Sequence, residues 1–187
     1  MEEVFDIIDE NGIPTGKTIS RNEAHGSGVL HRTAHIWVVR KTADGYQVLL
    51  QKRNAEKDSY PSMYDTSSAG HILSGDEPLE SAQRELFEEL GINAGEGDLS
   101  YAGKFHNQYE EEFNGKIFRD NEISFVYVYE KPVNIENLKL QKEEVDEVRW
   151  FDLNEAYEGC KYRTDAFCAP IEGLDLVKAY LRKEKLK

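Results

Sequence analysis

The stretch from residue 70 to residue 92, GHILSGDEPLESAQRELFEELGI, constrains this chain more than any other. Its spacing predicts a helix that begins at Pro78, a residue suited to the first helical position, just after Asp76 and Glu77. The helix stops at Gly91, which takes the left-handed turn that ends helices at little cost. Between those ends Leu79, Ala82, Leu86 and Leu90 recur at helical spacing and form one apolar stripe. Glu85, Glu88 and Glu89 stand at i, i+3 and i+4, so they share a second face roughly 100° from the stripe. Two like charges about 5 Å apart cost about 3 kcal/mol at an effective dielectric of about 20. A divalent cation turns that repulsion into binding, and an all-oxygen ligand set suits Mg²⁺ or Mn²⁺. A glutamate trio alone is most often a solvated face. Here a glycine-containing turn precedes it, Arg84 adjoins it and a glycine follows it.

The length of 187 residues suits one domain with a sizeable core. A net charge of −13 disfavours nonspecific binding to nucleic acid or to an anionic membrane. An anionic substrate would then need metal and local Lys or Arg to approach. Cys160 and Cys168 form no CxxC pair and no disulfide framework, which reads as reduced thiols of a cytoplasmic protein. No signal peptide and no run of membrane-spanning length is apparent.

In chain order, residues 4 to 19 read as two strands around Asn11-Gly12, a hairpin turn. Residues 21 to 32 are a polar segment carrying His25 and His31. His35 to Lys41 and Tyr46 to Lys52 form a hairpin across Asp44-Gly45, with His35 read as structural. The cations Arg53 and Lys57 lead toward the acidic helix, as a diphosphate site requires. Tyr101 to Tyr109 is a strand and Glu110 to Gly115 a polar turn. Glu122 to Lys131 alternates as a strand with Asp120 and Glu122 at its entrance. Residues 132 to 144 form a polar connection containing Glu143 and Glu144. Val145 to Phe151 is the last strand, a short helix opens at Asp152-Leu153-Asn154, and Leu174, Val177 and Leu181 mark a terminal amphipathic helix with a basic tail. Trp37, Tyr64, Phe105 and Tyr109 are more often core than contacts to a substrate. Strands mixed with a few helices indicate an α+β fold.

Residues 70 to 92 resemble the Nudix box, G-x5-E-x7-R-E-U-x-E-E-x-G-U with U aliphatic. Gly70, Arg84, Glu85, Leu86, Glu88, Glu89, Gly91 and Ile92 match it, and Asp76 stands where the family has Glu. The resemblance implies a mixed sheet between helices in an α/β/α sandwich, with a core over about residues 30 to 155 flanked by an N-terminal hairpin and a C-terminal helix. It implies hydrolysis of the diphosphate linkage in a nucleoside-diphosphate-X or other small-molecule diphosphate, with Mg²⁺ or Mn²⁺ on Glu85, Glu88 and Glu89. The carbonyl of Gly70 would also face the metal. Arg84 would orient the glutamates, and Glu122, Glu144 or Glu143 would serve as general base. Family members are often dimers, so a homodimer is open.

The flanks are similar to the type I isopentenyl diphosphate isomerases. These carry early histidines, a histidine after the box glycine and a later E-x-E pair. Here the matching positions are His25, His31, His71, Asp120 and Glu122, a second metal site by resemblance. Arg21, Arg53 and Lys57 would bind the diphosphate. Two departures oppose isomerase chemistry. The isomerase cysteine is replaced by Ala69, which has no acid or base function. All three box glutamates are present, where isomerases usually keep the last. A hydrolase on an isomerase-like scaffold is the expected reading; an isopentenyl diphosphate isomerase and a non-catalytic ligand-binding module are the alternatives.

Overall fold

A computed structural model describes residues 2–57, 59–162, 164 and 166–184; the end of the basic tail, 185–187, lies outside them. Strand β1 (Val4–Ile8) pairs antiparallel with β2 (Pro14–Ser20), the hairpin that Asn11-Gly12 predicts. The polar segment that follows departs from the sequence reading: Arg21–Ser27 form a helix, α1. The Ser20 hydroxyl accepts from the Glu23 backbone while the Glu23 carboxylate returns to Ser20, and Gly28 closes the helix in the left-handed region at φ 69°.

The main sheet has seven strands built around β3 (His31–Thr42). This strand begins four residues earlier than His35, because His31 to Val38 pair in parallel with β8 (Lys116–Tyr129). On its other side β3 pairs antiparallel with β4 (Gly45–Arg53) and with β6 (Ser68–His71). The short β5 (Tyr64–Asp65) and β9 (Val145–Asp152) both pair with β4. The far edge is β7 (Leu99–Phe113), joined to β8 across Asn114-Gly115. The sequence reading ended this strand at Tyr109 and made Glu110 to Gly115 a turn. Instead the acidic run continues the alternation: Tyr109, Glu111 and Phe113 face inward, Glu110 and Glu112 outward. Phe113 packs edge-on against Phe118, with ring centroids 6.1 Å apart. Cross-strand aromatic pairing of this kind stabilises a hairpin that charge alone would not favour.

Both faces of β3 are covered, which is why it reads as a near-continuous apolar run. Ala34, Ile36 and Val38 face helix α2 (Pro78–Leu90) and its buried Ala82, Leu86 and Leu90. Trp37 and Val39 face the opposite layer. That layer is α3 (Leu153–Lys161) and α4 (Ile171–Glu184), whose Leu174, Val177 and Leu181 are buried as their spacing predicts. The result is the α/β/α sandwich with a mixed sheet. In α2, Pro78 takes the first turn and Gly91 the left-handed cap at φ 71°. Leu79 does not join the apolar stripe; it sits in the first turn, 41% exposed. Trp37 is fully buried core, while Tyr64 and Phe105 pack partly buried against it. Among the described residues no helix is long and apolar enough to cross a membrane.

Candidate active site

A cavity of about 660 Å³ opens where the end of β6, one face of α2 and the inner face of the β7–β8 hairpin converge. Glu85, Glu88 and Glu89 all line it. They differ in exposure: the side chain of Glu88 is 49% exposed and that of Glu85 13%, while Glu89 is buried. Arg84 Nη1 lies 2.6 Å from Glu85 Oε1 and 3.3 Å from Glu88 Oε2, and its Nη2 donates to the His71 carbonyl at 3.1 Å. Glu89 Oε2 accepts from the Ala69 amide and from Gln51 Nε2, each at 3.2 Å. Gln51 carried no sequence signal; it is buried and its Oε1 has no partner among the described residues. Gly70 lies in close approach to Glu85. A Cβ built there would lie 2.1 Å from the Glu85 carboxyl carbon.

Burial pushes the Glu85 carboxyl up to about 7 and Glu89 up to about 8, with neighbouring glutamates adding to both shifts. Arg84 opposes the shift of Glu85. Two carboxylates that burial and neighbouring acids keep from ionising are well matched to a divalent cation.

A second cluster faces the same cavity. Helix α1 delivers His25, β3 His31, β6 His71 and β8 Glu122, and one ligand atom from each lies within 4.8 Å of all the others. The register explains the convergence. Parallel pairing sets His31 opposite Glu122, and antiparallel pairing sets Thr33 opposite His71, so both imidazoles fall on one face of the sheet. His71 Nε2 is 3.1 Å from His25 Nε2 and 3.3 Å from Glu122 Oε1; His31 Nε2 is 3.4 Å from the same oxygen. His31 Nε2 is buried without a hydrogen-bond partner among the described residues, while its Nδ1 meets the Val29 carbonyl at 2.8 Å. Thr33, also missed from sequence, donates to Glu122 Oε2 at 3.1 Å. Burial pushes His25 down to about 3 and lowers His71, so these rings are neutral at pH 7, the form in which imidazole binds metal. Asp120 does not join the four. It lies 3.6 Å from His25 Nδ1 and accepts from Asn107 at 2.9 Å. Burial beside Glu122 raises Asp120 to about 9, whereas His31 and His71 hold Glu122 well below its usual range against the effect of burial. His35 lines the cavity outside this cluster, its ring edge-on to Phe105.

The three cations expected to meet the substrate also line the cavity, and each already holds a carboxylate. Arg21 pairs with Glu3 at 2.5 Å and Lys57 with Glu144 at 2.5 Å. Arg53 pairs with Asp65 at 3.0 Å and donates to the Ser59 carbonyl and hydroxyl at 3.0 and 3.1 Å. Of the candidate bases, Glu122 lies in the histidine cluster, Glu144 lines the cavity and Glu143 is exposed. Tyr109 lines the cavity too, whereas Trp37 does not. Cys160 and Cys168, distant in sequence from Ala69, reach the same lining, but burial pushes Cys160 up to about 12 and Cys168 higher still.

These shifts carry a prediction. Glu85 and Glu89 have folded-state values above the ordinary 4.5, so the folded state holds more protons than the unfolded one from about pH 4.5 to about 8. Metal-free stability therefore falls as pH rises through that window. His25 acts oppositely, adding stability as pH rises from about 3 to 6.5. In scanning fluorimetry Mg²⁺ is expected to raise Tm more at pH 8 than at pH 6, because protons compete for the same carboxylates. A Mg²⁺ effect equal at both values would contradict these assignments.

A family model for the NUDIX domain matches residues 29–167. Nudix hydrolase 3 of Arabidopsis thaliana is 40% identical over 156 residues; the match covers 82% of this chain and only 20% of that longer protein. An isopentenyl-diphosphate Delta-isomerase of Dinoroseobacter shibae is 30% identical over 152 residues, covering 81% of this chain and 80% of the relative. The crystal structure of DR0079 from Deinococcus radiodurans superposes with a TM-score of 0.69 at 16% identity, over 95% of this chain and 98% of that one. The last of these is a likeness of fold.

Proposed function

The chain belongs to the Nudix hydrolase family, and from that premise we propose that it is a metal-dependent hydrolase of a small diphosphate, of which a prenyl diphosphate is the favoured class. The observation that carries this reading is the complete trio of Glu85, Glu88 and Glu89 beside one cavity, two of them largely desolvated. The trio fits Mg²⁺ or Mn²⁺, and the imidazole-rich set of His25, His31, His71 and Glu122 fits a second divalent ion. Bound there, such ions supply positive charge for the diphosphate and acidify the attacking water.

The chain's own groups do the rest. Ala69 N–H and Gln51 fix the rotamer of Glu89, and Arg84 holds Glu85 and Glu88 while tying them to the strand that bears His71. Lys57, Arg53 and Arg21 exchange their present carboxylate partners for phosphate oxygens. As Lys57 turns to the substrate, Glu144 is released to act as general base. Glu122 is engaged by His31, His71 and Thr33, which disfavours it in that role.

The isomerase remains the second reading, because the histidine cluster and the Dinoroseobacter relative both favour it. Isomerisation needs a proton donor or acceptor on each face of the carbon skeleton. The Ala69 methyl supplies neither. The test is hydrolysis with Mg²⁺ across nucleotide, sugar-nucleotide, dinucleotide, CoA and prenyl diphosphates, read as release of phosphate or, where the diphosphate bridges two groups, of the two phosphomonoesters, and assayed beside isopentenyl-to-dimethylallyl conversion. Release from at least one class, lost in Glu88→Gln, is the expected result. Conversion without release would overturn the hydrolase in favour of the isomerase. Neither activity would leave a ligand-binding module.

A further inference from the structure

The β1–β2 hairpin lies outside the segment matched by the family model, which begins at residue 29. It is nevertheless fastened to the two segments that carry the cluster histidines. Ser74 N–H donates to the Val4 carbonyl at 2.8 Å, Phe5 bridges Leu73, and Ile8 N–H donates to the Leu30 carbonyl at 3.2 Å. The Asp6 carboxylate accepts from Ser74 Oγ at 2.8 Å, Gly75 N–H at 3.1 Å and Arg32 Nη2 at 3.0 Å. Strand β1 thus spans the neighbours of His31 on one side and of His71 on the other.

Phe5, at the centre of that span, is fully buried. Its ring lies 5.0 Å from that of His31 at an interplanar angle of 10°, and 4.5 Å from that of His71 at 8°. It also meets the ring of His25 edge-on at 6.4 Å. The second side-chain torsion of histidine is broad and roughly two-fold. An imidazole therefore keeps one plane only when its neighbours impose it; His31 is anchored by a single hydrogen bond, from Nδ1 to the Val29 carbonyl at 2.8 Å, and its Nε2 has none among the described residues. A flat aromatic face parallel to both rings supplies that constraint, and it excludes water from one side of the cluster.

We propose that Phe5 is a positioning residue for the histidine cluster. It fixes the planes of His31 and His71 so that both Nε2 atoms point at Glu122, and the N-terminal hairpin is thereby an integral part of the site. Its consequence for metal affinity rests on the reading that the cluster holds a divalent ion.

The test compares Phe5→Leu, which keeps apolar volume but has no plane, with Ile8→Ala. Ile8 is buried in the same strand and has no ring contact with the cluster, so Ile8→Ala reports simple weakening of the hairpin. The first readout is the histidine ring NMR spectrum of the metal-free protein. Phe5→Leu is expected to broaden or double the His31 and His71 signals while Ile8→Ala leaves them single. The second is Mn²⁺ titration of the site that His31→Asn removes, where Phe5→Leu is expected to weaken binding by about ten-fold or more, the scale for groups that orient metal ligands. Ring signals in Phe5→Leu that match wild type would overturn the proposal, as would equal changes in the two variants. Altered ring signals in a protein whose wild type binds no Mn²⁺ at the cluster would uphold Phe5 as the positioning residue and refute the metal reading alone.

Discussion

Glu89→Gln is expected to lower kcat by roughly 10³-fold, about 4 kcal/mol of transition-state stabilisation, without loss of stability. Glu89 is 5% exposed, and burial drives its carboxyl up to about 8. The charge is therefore costly to the fold and is kept for what it does when a cation arrives. Glutamine preserves the shape and an oxygen to accept from Ala69 N–H and Gln51. It removes the negative charge that a divalent ion requires. The expected signature is an unchanged or raised metal-free Tm, loss of the Mg²⁺-induced rise in Tm, and loss of turnover. A variant retaining more than about a tenth of wild-type kcat would remove Glu89 from the centre of the mechanism.

The second large effect is expected from Gly70→Ala. Gly70 does not have a positive φ, so alanine meets no backbone strain there. The obstacle is steric and local: the new methyl would stand 2.1 Å from the Glu85 carboxyl carbon. Glu85 is held by Arg84 at 2.6 Å, so the carboxylate must leave the position its guanidinium partner defines. A displacement of about 1 Å at a reacting centre costs on the order of 10²-fold. The expected result is that loss in kcat with a modest change in Tm, because the carboxylate lies at a cavity and has room to move outward. A fall in Tm with kcat unchanged would instead make Gly70 a packing glycine.

What the sequence made legible follows from where the signals are local. The helix from Pro78 to Gly91 was readable because its starting residue, its cap and its apolar spacing all agree. Leu79 escaped that rule: it stands in the first turn of α2 and is 41% exposed. Helix α1 is only seven residues long, too short for periodicity; the pairing of Ser20 with Glu23 was the available clue. In β7 the run Glu110-Glu111-Glu112 concealed an alternation that Tyr109 and Phe113 continue. At the site, the glutamates lie within five residues and could be placed by helix geometry alone. The meeting of His25, His31, His71 and Glu122 depends on strand register across 98 positions of chain, and only the resemblance anticipated it. Gln51, Thr33 and Phe5 support functional groups through contacts made only after folding, so no local pattern marks them.

The most direct test of the central claim, diphosphate hydrolysis at the glutamate trio, is turnover of isopentenyl diphosphate in deuterium oxide enriched in oxygen-18, with Mg²⁺ present. The account predicts oxygen-18 in a phosphate product and no deuterium in the carbon skeleton, with both product and label lost in Glu89→Gln. Deuterium incorporated into carbon with the diphosphate intact and free of label would contradict it.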